Sequence, residues 1–158
     1  VGVDETEWLE VNNAAFAWHH EQGAWDLRTV QQRELEGWFD PEGFRVLDLD
    51  GRMAGFCWTK VHPSDGHPQR RPVGEIYVIA VHPSRRGSGP GRALTLAGID
   101  HLESVGARAC MLYVDADNTA AVGLYSALGF RTVHAEQAFV RADTASRPTT
   151  PATAQEYR

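Results

Sequence analysis

The sequence has little of several features that would narrow its function at once. Its 158 residues include two cysteines, Cys57 and Cys110, both within apolar runs where a free thiol behaves as a small buried hydrophobe. This usage favours a reduced, cytoplasmic protein over a disulfide-bonded one. No apolar run approaches the roughly 20 residues that span a bilayer, and the first residues lack the order of a secretory leader. We therefore expect neither a membrane span nor secretion.

Positive charge is also scarce. The chain carries 15 Lys and Arg against 21 Asp and Glu, a net charge of −6, which argues against a nucleic-acid partner. Its arginines cluster locally at Arg70, Arg71, Arg85 and Arg86, a pattern that favours a small polyanionic ligand. The seven histidines show no metal-ligand spacing, so we expect no metal ion.

Length and composition favour one folded domain. A chain of 158 residues with 42% hydrophobic content can bury a core, but it has no room for a second catalytic domain. After Asp143 the composition turns to Thr, Ala, Ser and Pro. We therefore expect a domain over residues 1–143 and a disordered tail over residues 144–158.

The chain is organised around residues 74–94. A β-branched run over 76–81 predicts a buried strand, a glycine-rich turn follows, and a helical pattern continues from Arg92. The first amides of a helix are unpaired and carry partial positive charge, so a phosphate group can dock there. Gly87, Gly89 and Gly91 allow close approach of the backbone. Their spacing, Gly-x-Gly-x-Gly, differs from the dinucleotide fingerprint Gly-x-Gly-x-x-Gly.

The other elements follow from capping and periodicity. Asp4 and Glu7 predict a capping box for a first helix, and Asp26 caps a second helix that reaches Glu36. Asp50-Gly51 is a strong hairpin signal. The remaining predicted elements are strands over 44–49, 53–61 and 109–114, a loop over 62–72, a helix over 118–128, and a final hairpin of strands 130–134 and 137–141. This order predicts an α/β (α+β) fold in which helices flank one mixed sheet.

Two motifs carry a resemblance to a known family. Arg86, Gly89 and Gly91 match the Arg/Gln-x-x-Gly-x-Gly/Ala loop that binds the acetyl-CoA pyrophosphate in GNAT-type N-acetyltransferases. Residues 121–130 match the family's Ala-x-x-x-Tyr-x-x-x-Gly-Phe signature. The resemblance implies the GNAT acyl-CoA N-acyltransferase fold. That fold usually opens with a strand beside strand 44–49, which we expect to be missing here because only Val1 to Val3 could supply its end.

The resemblance also implies site residues. Glu75 would be the general base and Tyr125 would protonate the departing CoA thiolate, although a strand-end carboxylate and a core tyrosine are the structural alternatives. Backbone amides at a strand bulge over 79–81 would hold the thioester and pantetheine. Pro90 brings no amide to the loop. The implied acetyl-CoA ligands are Ile79, Ala80, Val81, Arg86, Gly87, Ser88, Gly89, Gly91, Arg92, Asn118, Ala121 and Gly123.

Three further segments, 11–16 together with 20–23, 58–63 and 112–118, resemble the C-terminal, catalytic half of the mycothiol synthase family. This resemblance implies transfer of acetyl from acetyl-CoA to the cysteinyl amine of desacetylmycothiol. Glu21, Lys60, Glu75 and Tyr113 would contact that acceptor, unless Glu21 and Lys60 are surface charges and Tyr113 is a core residue. Family members have two tandem GNAT halves, of which one is present. Two alternatives stay open: a GNAT enzyme acting on another primary amine, a protein N-terminus or a small molecule, or a non-catalytic acetyl-CoA-binding module.

Overall fold

The computed structural model describes residues 2–19, 22–64, 72–87 and 89–135, and the backbone of 152–157. The elements in chain order are α1 (Glu5–Ala15), α2 (Leu27–Glu34), β1 (Phe44–Leu49), β2 (Arg52–His62), β3 (Val73–Val81), α3 (Pro90–Ser104), β4 (Cys110–Asp115), α4 (Thr119–Ala127), β5 (Arg131–Ala135) and β6 (Ala152–Tyr157). Short 3-10 turns at Pro41–Gly43 and Pro83–Arg85 precede β1 and α3. None of the helices in the described part of the chain is long and apolar enough to cross a membrane.

The strands form one mixed sheet in the order β1-β2-β3-β4-β6-β5. The first three strands are antiparallel neighbours, β3 and β4 are parallel across the α3 connection, and β6 is antiparallel to both β4 and β5. The Asp50-Gly51 hairpin is confirmed, with φ of 59° and 74° at the two turn residues, as a type I′ turn requires. The sequence-based expectation of a mixed sheet flanked by helices is therefore correct.

The C-terminal segment differs from its sequence-based expectation. Residues 152–157, expected within a disordered tail, form β6 and pair with β4 on one side and β5 on the other. A strand between two others forms main-chain hydrogen bonds with both neighbours. Its formation therefore does not require an apolar composition. The hairpin strand expected over 137–141 lies outside the described residues, as do 144–151.

Helix capping was predicted correctly for α2 but not for α1. Asp26 accepts a hydrogen bond from the Thr29 amide at 2.8 Å, and α2 ends at Glu34, two residues earlier than expected. Asp4 makes no side-chain cap on α1. Glu7 does not complete a capping box but accepts from the Met53 amide at 2.9 Å and from Arg52 Nε at 3.0 Å. Glu7 therefore fixes α1 to β2, a contact with no local sequence signal.

The two faces of the sheet bury different cores. The face covered by α3 and α4 is aliphatic, with Leu94, Leu102 and Leu112 buried beside the thiols of Cys57 and Cys110. The face covered by α1 and α2 is aromatic. Its central ring, Trp8, lies 4.9 Å from Phe56, 5.6 Å from Trp25, 5.9 Å from Phe44 and 6.0 Å from Trp58, measured between ring centroids. This packing fixes the direction of α1, whose C-terminal end reaches the candidate site.

Candidate active site

The site begins where two parallel strands separate. Pairing of β3 with β4 covers Gly74 to Ile76 on β3, yet β3 continues to Val81 and β4 to Asp115. A β-bulge lies at the point of separation: Trp58 pairs with Val78 and Thr59 with Ile76, which leaves Tyr77 as the additional residue. The bulge was expected over 79–81, so the irregularity lies two residues earlier. Its consequence is a cleft between the C-terminal halves of β3 and β4.

A cavity of about 680 Å³ lies at the end of this cleft. It brings together the end of α1, the end of β3, the glycine-rich loop and the first turns of α4. The lining residues predicted from sequence as acetyl-CoA ligands are Ile79, Ala80, Val81, Arg86, Gly87, Gly89, Gly91, Arg92, Asn118 and Ala121. Gly123 is not a lining residue, whereas Ala120 and Leu124 on either side of it are. Ser88 lies outside the described residues.

A second cavity of about 270 Å³ opens between β3 and β4. Ile76 and Tyr77 line it from β3, and Leu112 and Tyr113 line it from β4. The residues that line both cavities are Phe16, Trp18, Ile79, Asn118, Ala121 and Tyr125. The two cavities therefore adjoin, and Tyr125 is a titratable side chain at their junction.

The glycine-rich loop is shaped by backbone conformation. Gly87 and Gly89 have φ of 91° and 92°, in the left-handed region, and a Cβ on either residue would meet open space. Gly89 is the N-cap of α3 and Pro90 is its first residue, a position where proline's missing amide costs no intrahelical bond. The loop thus presents a helix N-terminus to the larger cavity, the arrangement that favours an anion.

Arg86 joins this loop to α1. Its Nη2 donates to the Ala15 carbonyl oxygen at 3.5 Å, and both residues line the larger cavity. Gly91 is the point of closest packing, since a Cβ there would lie 3.4 Å from Leu124 Cδ2 on α4. The loop is therefore held between α1 and α4, with a guanidinium group at the cavity wall.

Tyr125 is 6% exposed and lies in the aliphatic core as well as at the junction of the cavities. Burial, with a smaller effect of the neighbouring Cys57, raises the pKa of Tyr125 above its ordinary value. Its hydroxyl therefore keeps its proton through the neutral range and can act as a proton donor. Asn118, the N-cap of α4, accepts from the Ala121 amide at 3.2 Å and so fixes the helix that carries Tyr125.

Glu75 is buried, with 10% of its side chain exposed, and its Oε2 lies 2.5 Å from His62 Nε2. It does not line either cavity, although the next two residues, Ile76 and Tyr77, line the smaller one. His62 was not singled out from the sequence. The sequence signal that could have found His62 is the two-residue period of a strand. Lys60 pairs with Glu75 across β2 and β3, and His62, two residues after Lys60, shares its face of the sheet.

The residues proposed to contact the acceptor differ in their surroundings in the structure. Lys60 lies opposite Glu75, and its Nζ is 4.7 Å from the Trp38 ring centroid and 5.6 Å from that of Tyr77. Tyr113 is 53% exposed and lines the smaller cavity, so it is not a core residue. Glu21 lies outside the described residues. Sequence reasoning missed Trp38, which follows α2 in a turn without regular periodicity.

Comparison with known proteins defines the class. A model of the Acetyltransferase (GNAT) family matches residues 7–130, and the chain belongs to this family. Within it, the chain is similar to Mycothiol acetyltransferase of Thermomonospora curvata, with 53% identity over 82% of this chain and 41% of that protein. It is similar to the same enzyme of Parafrankia sp., with 48% identity over 89% of this chain and 47% of that protein. The resemblance to mycothiol synthases is confirmed, and the chain spans less than half the length of these relatives.

Solved structures support the fold. The ribosomal-protein-S18-alanine N-acetyltransferase from Escherichia coli matches with a TM-score of 0.73 and 24% identity over 99% of this chain and 88% of that one. The yncA protein of Salmonella typhimurium, solved with its cofactor acetyl-CoA, matches with a TM-score of 0.69 and 20% identity over 100% and 90% of the two chains. The GNAT fold predicted from the sequence motifs is therefore confirmed.

Proposed function

We propose that this chain transfers an acetyl group from acetyl-CoA to the cysteinyl amine of desacetylmycothiol. The observation that carries the proposal is the junction of two cavities at Tyr125. One cavity is lined by the glycine-rich loop and the other by the separated strands. Curated relatives about half identical to the chain are named for mycothiol acetylation, which favours this acceptor.

Acetyl-CoA occupies the larger cavity in this proposal. The amides at the start of α3, with Ser88 between Gly87 and Gly89, bind the diphosphate, and Arg86 and Arg92 add positive charge. Pantetheine then lies along Asn118 and Ala121 toward Tyr125. The β3 backbone over 79–81 continues beyond the pairing with β4, and in the proposal its amides bind the thioester carbonyl and pantetheine.

The acceptor occupies the smaller cavity and extends past Tyr77 toward Lys60 and Glu75, which do not themselves line that cavity. Tyr113 lies on its β4 side. Lys60 and Glu75 face each other across β2 and β3 beside Tyr77. In the proposal these groups and Glu21 supply the donors and acceptors that a sugar, an inositol and an α-amine need.

The chemistry follows from these positions. The acceptor ammonium gives one proton to Glu75, directly or through a water, and the free amine forms a C–N bond with the thioester carbon. The C–S bond breaks, and Tyr125 gives its hydroxyl proton to the departing sulfur. The remaining excess proton on nitrogen returns to the Tyr125 oxygen. One proton per turnover therefore stays on Glu75 and must leave to solvent.

Turnover with purified chain tests the proposal. The acceptor contains a thiol, so mass spectrometry of the acceptor is a sharper readout than thiol release. We expect a gain of one acetyl group on the cysteinyl nitrogen, and none when the acceptor amine is blocked in advance. Acetylation of polyamines or peptide N-termini in preference to desacetylmycothiol would instead support a different GNAT enzyme. Acetyl-CoA binding without any turnover would support a non-catalytic module.

A further inference from the structure

We infer that His62 is a positioning residue for Glu75, which aims the carboxylate at the acceptor amine and ties its use as a base to the charge on an imidazole ring. This inference deepens the proposed function and rests on it. Its basis is the 2.5 Å contact between His62 Nε2 and Glu75 Oε2 at the ends of two paired strands.

The two side chains differ in their access to water. Glu75 has 10% of its side chain exposed and His62 has 37%. The ring contacts one carboxylate oxygen and is the more exposed of the two groups, and its backbone is held in place because β2 and β3 pair through to His62 and Val73.

This contact gives the two carboxylate oxygens of Glu75 different roles. When the ring is neutral and carries its hydrogen on Nε2, that hydrogen is donated to Oε2, which leaves Oε1 to take the proton of the acceptor ammonium. When the ring is charged, the same hydrogen bond becomes an ion pair, and a carboxylate beside a cation is a weaker base. The neutral ring is therefore the productive form.

Other groups near Glu75 do not produce the same dependence on pH. Lys60 stands opposite Glu75, and a lysine ammonium keeps its charge between pH 5 and 8. Burial raises the pKa of Tyr77, and it raises that of the Cys110 thiol to about 12, so both stay neutral there. More distant charges act on these two residues: Arg33 and Glu36 on Tyr77, and Glu103 on Cys110. Among these described groups, His62 is the one whose residue type ordinarily changes charge near neutral pH.

Two variants separate an orienting role from simple packing. His62→Gln keeps an N–H donor near the position of Nε2 but takes up no proton, and His62→Leu removes the donor. His134→Gln, on exposed β5, is the matched control. The readout is kcat/KM for desacetylmycothiol from pH 5 to 9. The acceptor amine titrates identically in every reaction, so differences between variants report the enzyme.

We expect His62→Leu to lower kcat by about tenfold to a hundredfold, the range for loss of a hydrogen bond to a charged group, with the KM for acetyl-CoA unchanged. His62→Gln should recover most of that loss and move the acid limb to lower pH, while His134→Gln matches the wild type. Profiles of both His62 variants that coincide with the wild type would overturn the inference and leave the proposed function intact. A wild-type chain that does not acetylate desacetylmycothiol would overturn both.

Discussion

The ammonium of Lys60 lies 4.7 Å from the centroid of the Trp38 ring, on the face of the sheet that carries Glu75. Trp38 is itself packed between Trp58, at 5.7 Å, and Tyr77, at 5.1 Å. The aromatic core therefore holds a charged side chain beside Tyr77, a residue that lines the smaller cavity. A residue outside the helices and strands can in this way affect acceptor binding.

Replacing Trp38 tests this relationship. A cation over an aromatic ring contributes about 0.5 to 2 kcal/mol, so Trp38→Leu should raise the KM for desacetylmycothiol between about twofold and thirtyfold. The KM for acetyl-CoA should not change, because Trp38 does not line the larger cavity, whereas it packs on Tyr77, which lines the smaller one. Trp38→Phe, which keeps a ring, should retain most of the wild-type value in steady-state kinetics.

The control for this experiment is a double variant. If Trp38 acts by holding Lys60, then Trp38→Leu should have little further effect in a Lys60→Met background. Equal effects of Trp38→Leu with and without the lysine would show that the ring acts on the acceptor or the fold independently of Lys60.

Arg86 should contribute more to acetyl-CoA binding than Arg85, its neighbour in the sequence. Arg86→Gln removes a guanidinium from the cavity wall and should weaken acetyl-CoA binding by about tenfold to a hundredfold, as for a charge-assisted hydrogen bond. Arg85→Gln is the matched control, since Arg85 lies outside that cavity with its Nη1 3.3 Å from Asp50 Oδ2. Isothermal titration with CoA compares them. Similar losses in both variants would contradict a specific role for Arg86.

The protonation state of Tyr125 bears on the alkaline side of the pH profile of kcat. Because burial penalises the phenolate, the pKa of Tyr125 is raised and the hydroxyl stays protonated as pH rises. Wild-type kcat should therefore show no loss from this group up to about pH 10, the ordinary value for tyrosine. Tyr125→Phe should lower kcat by about a hundredfold without weakening CoA binding. A kcat for Tyr125→Phe close to wild type would remove the proposed acid.

Two helical glycines should respond to alanine with opposite signs. A Cβ on Gly98 in α3 would lie 2.6 Å from Cys57 Sγ in the core, so Gly98→Ala should destabilise the fold by about 1 to 3 kcal/mol. Gly123 in α4 has nothing within 4 Å of its Cβ position, so Gly123→Ala should stabilise by about 0.5 to 1 kcal/mol. Urea unfolding measures both changes. Stabilisation by Gly98→Ala would show that the core has room there.

Features fixed by neighbouring residues were predictable from the sequence. Asp26 as a helix cap, the Asp50-Gly51 hairpin and the glycine-rich start of α3 each depend on a few consecutive residues, and the structure has them all. Features that depend on long-range pairing were not. Glu7 bonds to β2 rather than to its own helix, and the polar segment 152–157 becomes a strand between two others.

The same division holds within the candidate site. Most of the residues proposed for acetyl-CoA line one cavity, because β3 and the loop are consecutive in the chain and α4 directly follows β4, the parallel neighbour of β3. His62 and Trp38 were missed because their contacts with Glu75 and Lys60 require the register between β2 and β3 and the packing of a turn. Local spacing gives neither the register nor the packing of the turn, although the strand period alone puts His62 on the same face as Lys60.

A crystal structure of the chain with CoA and desacetylmycothiol would test the central claim most directly. We predict that the diphosphate contacts the backbone from Arg86 to Arg92, that the sulfur lies within hydrogen-bonding distance of the Tyr125 hydroxyl, and that the acceptor amine points toward Glu75. A diphosphate bound away from the start of α3, or an acceptor amine on the far side of the sheet from Glu75, would contradict the account.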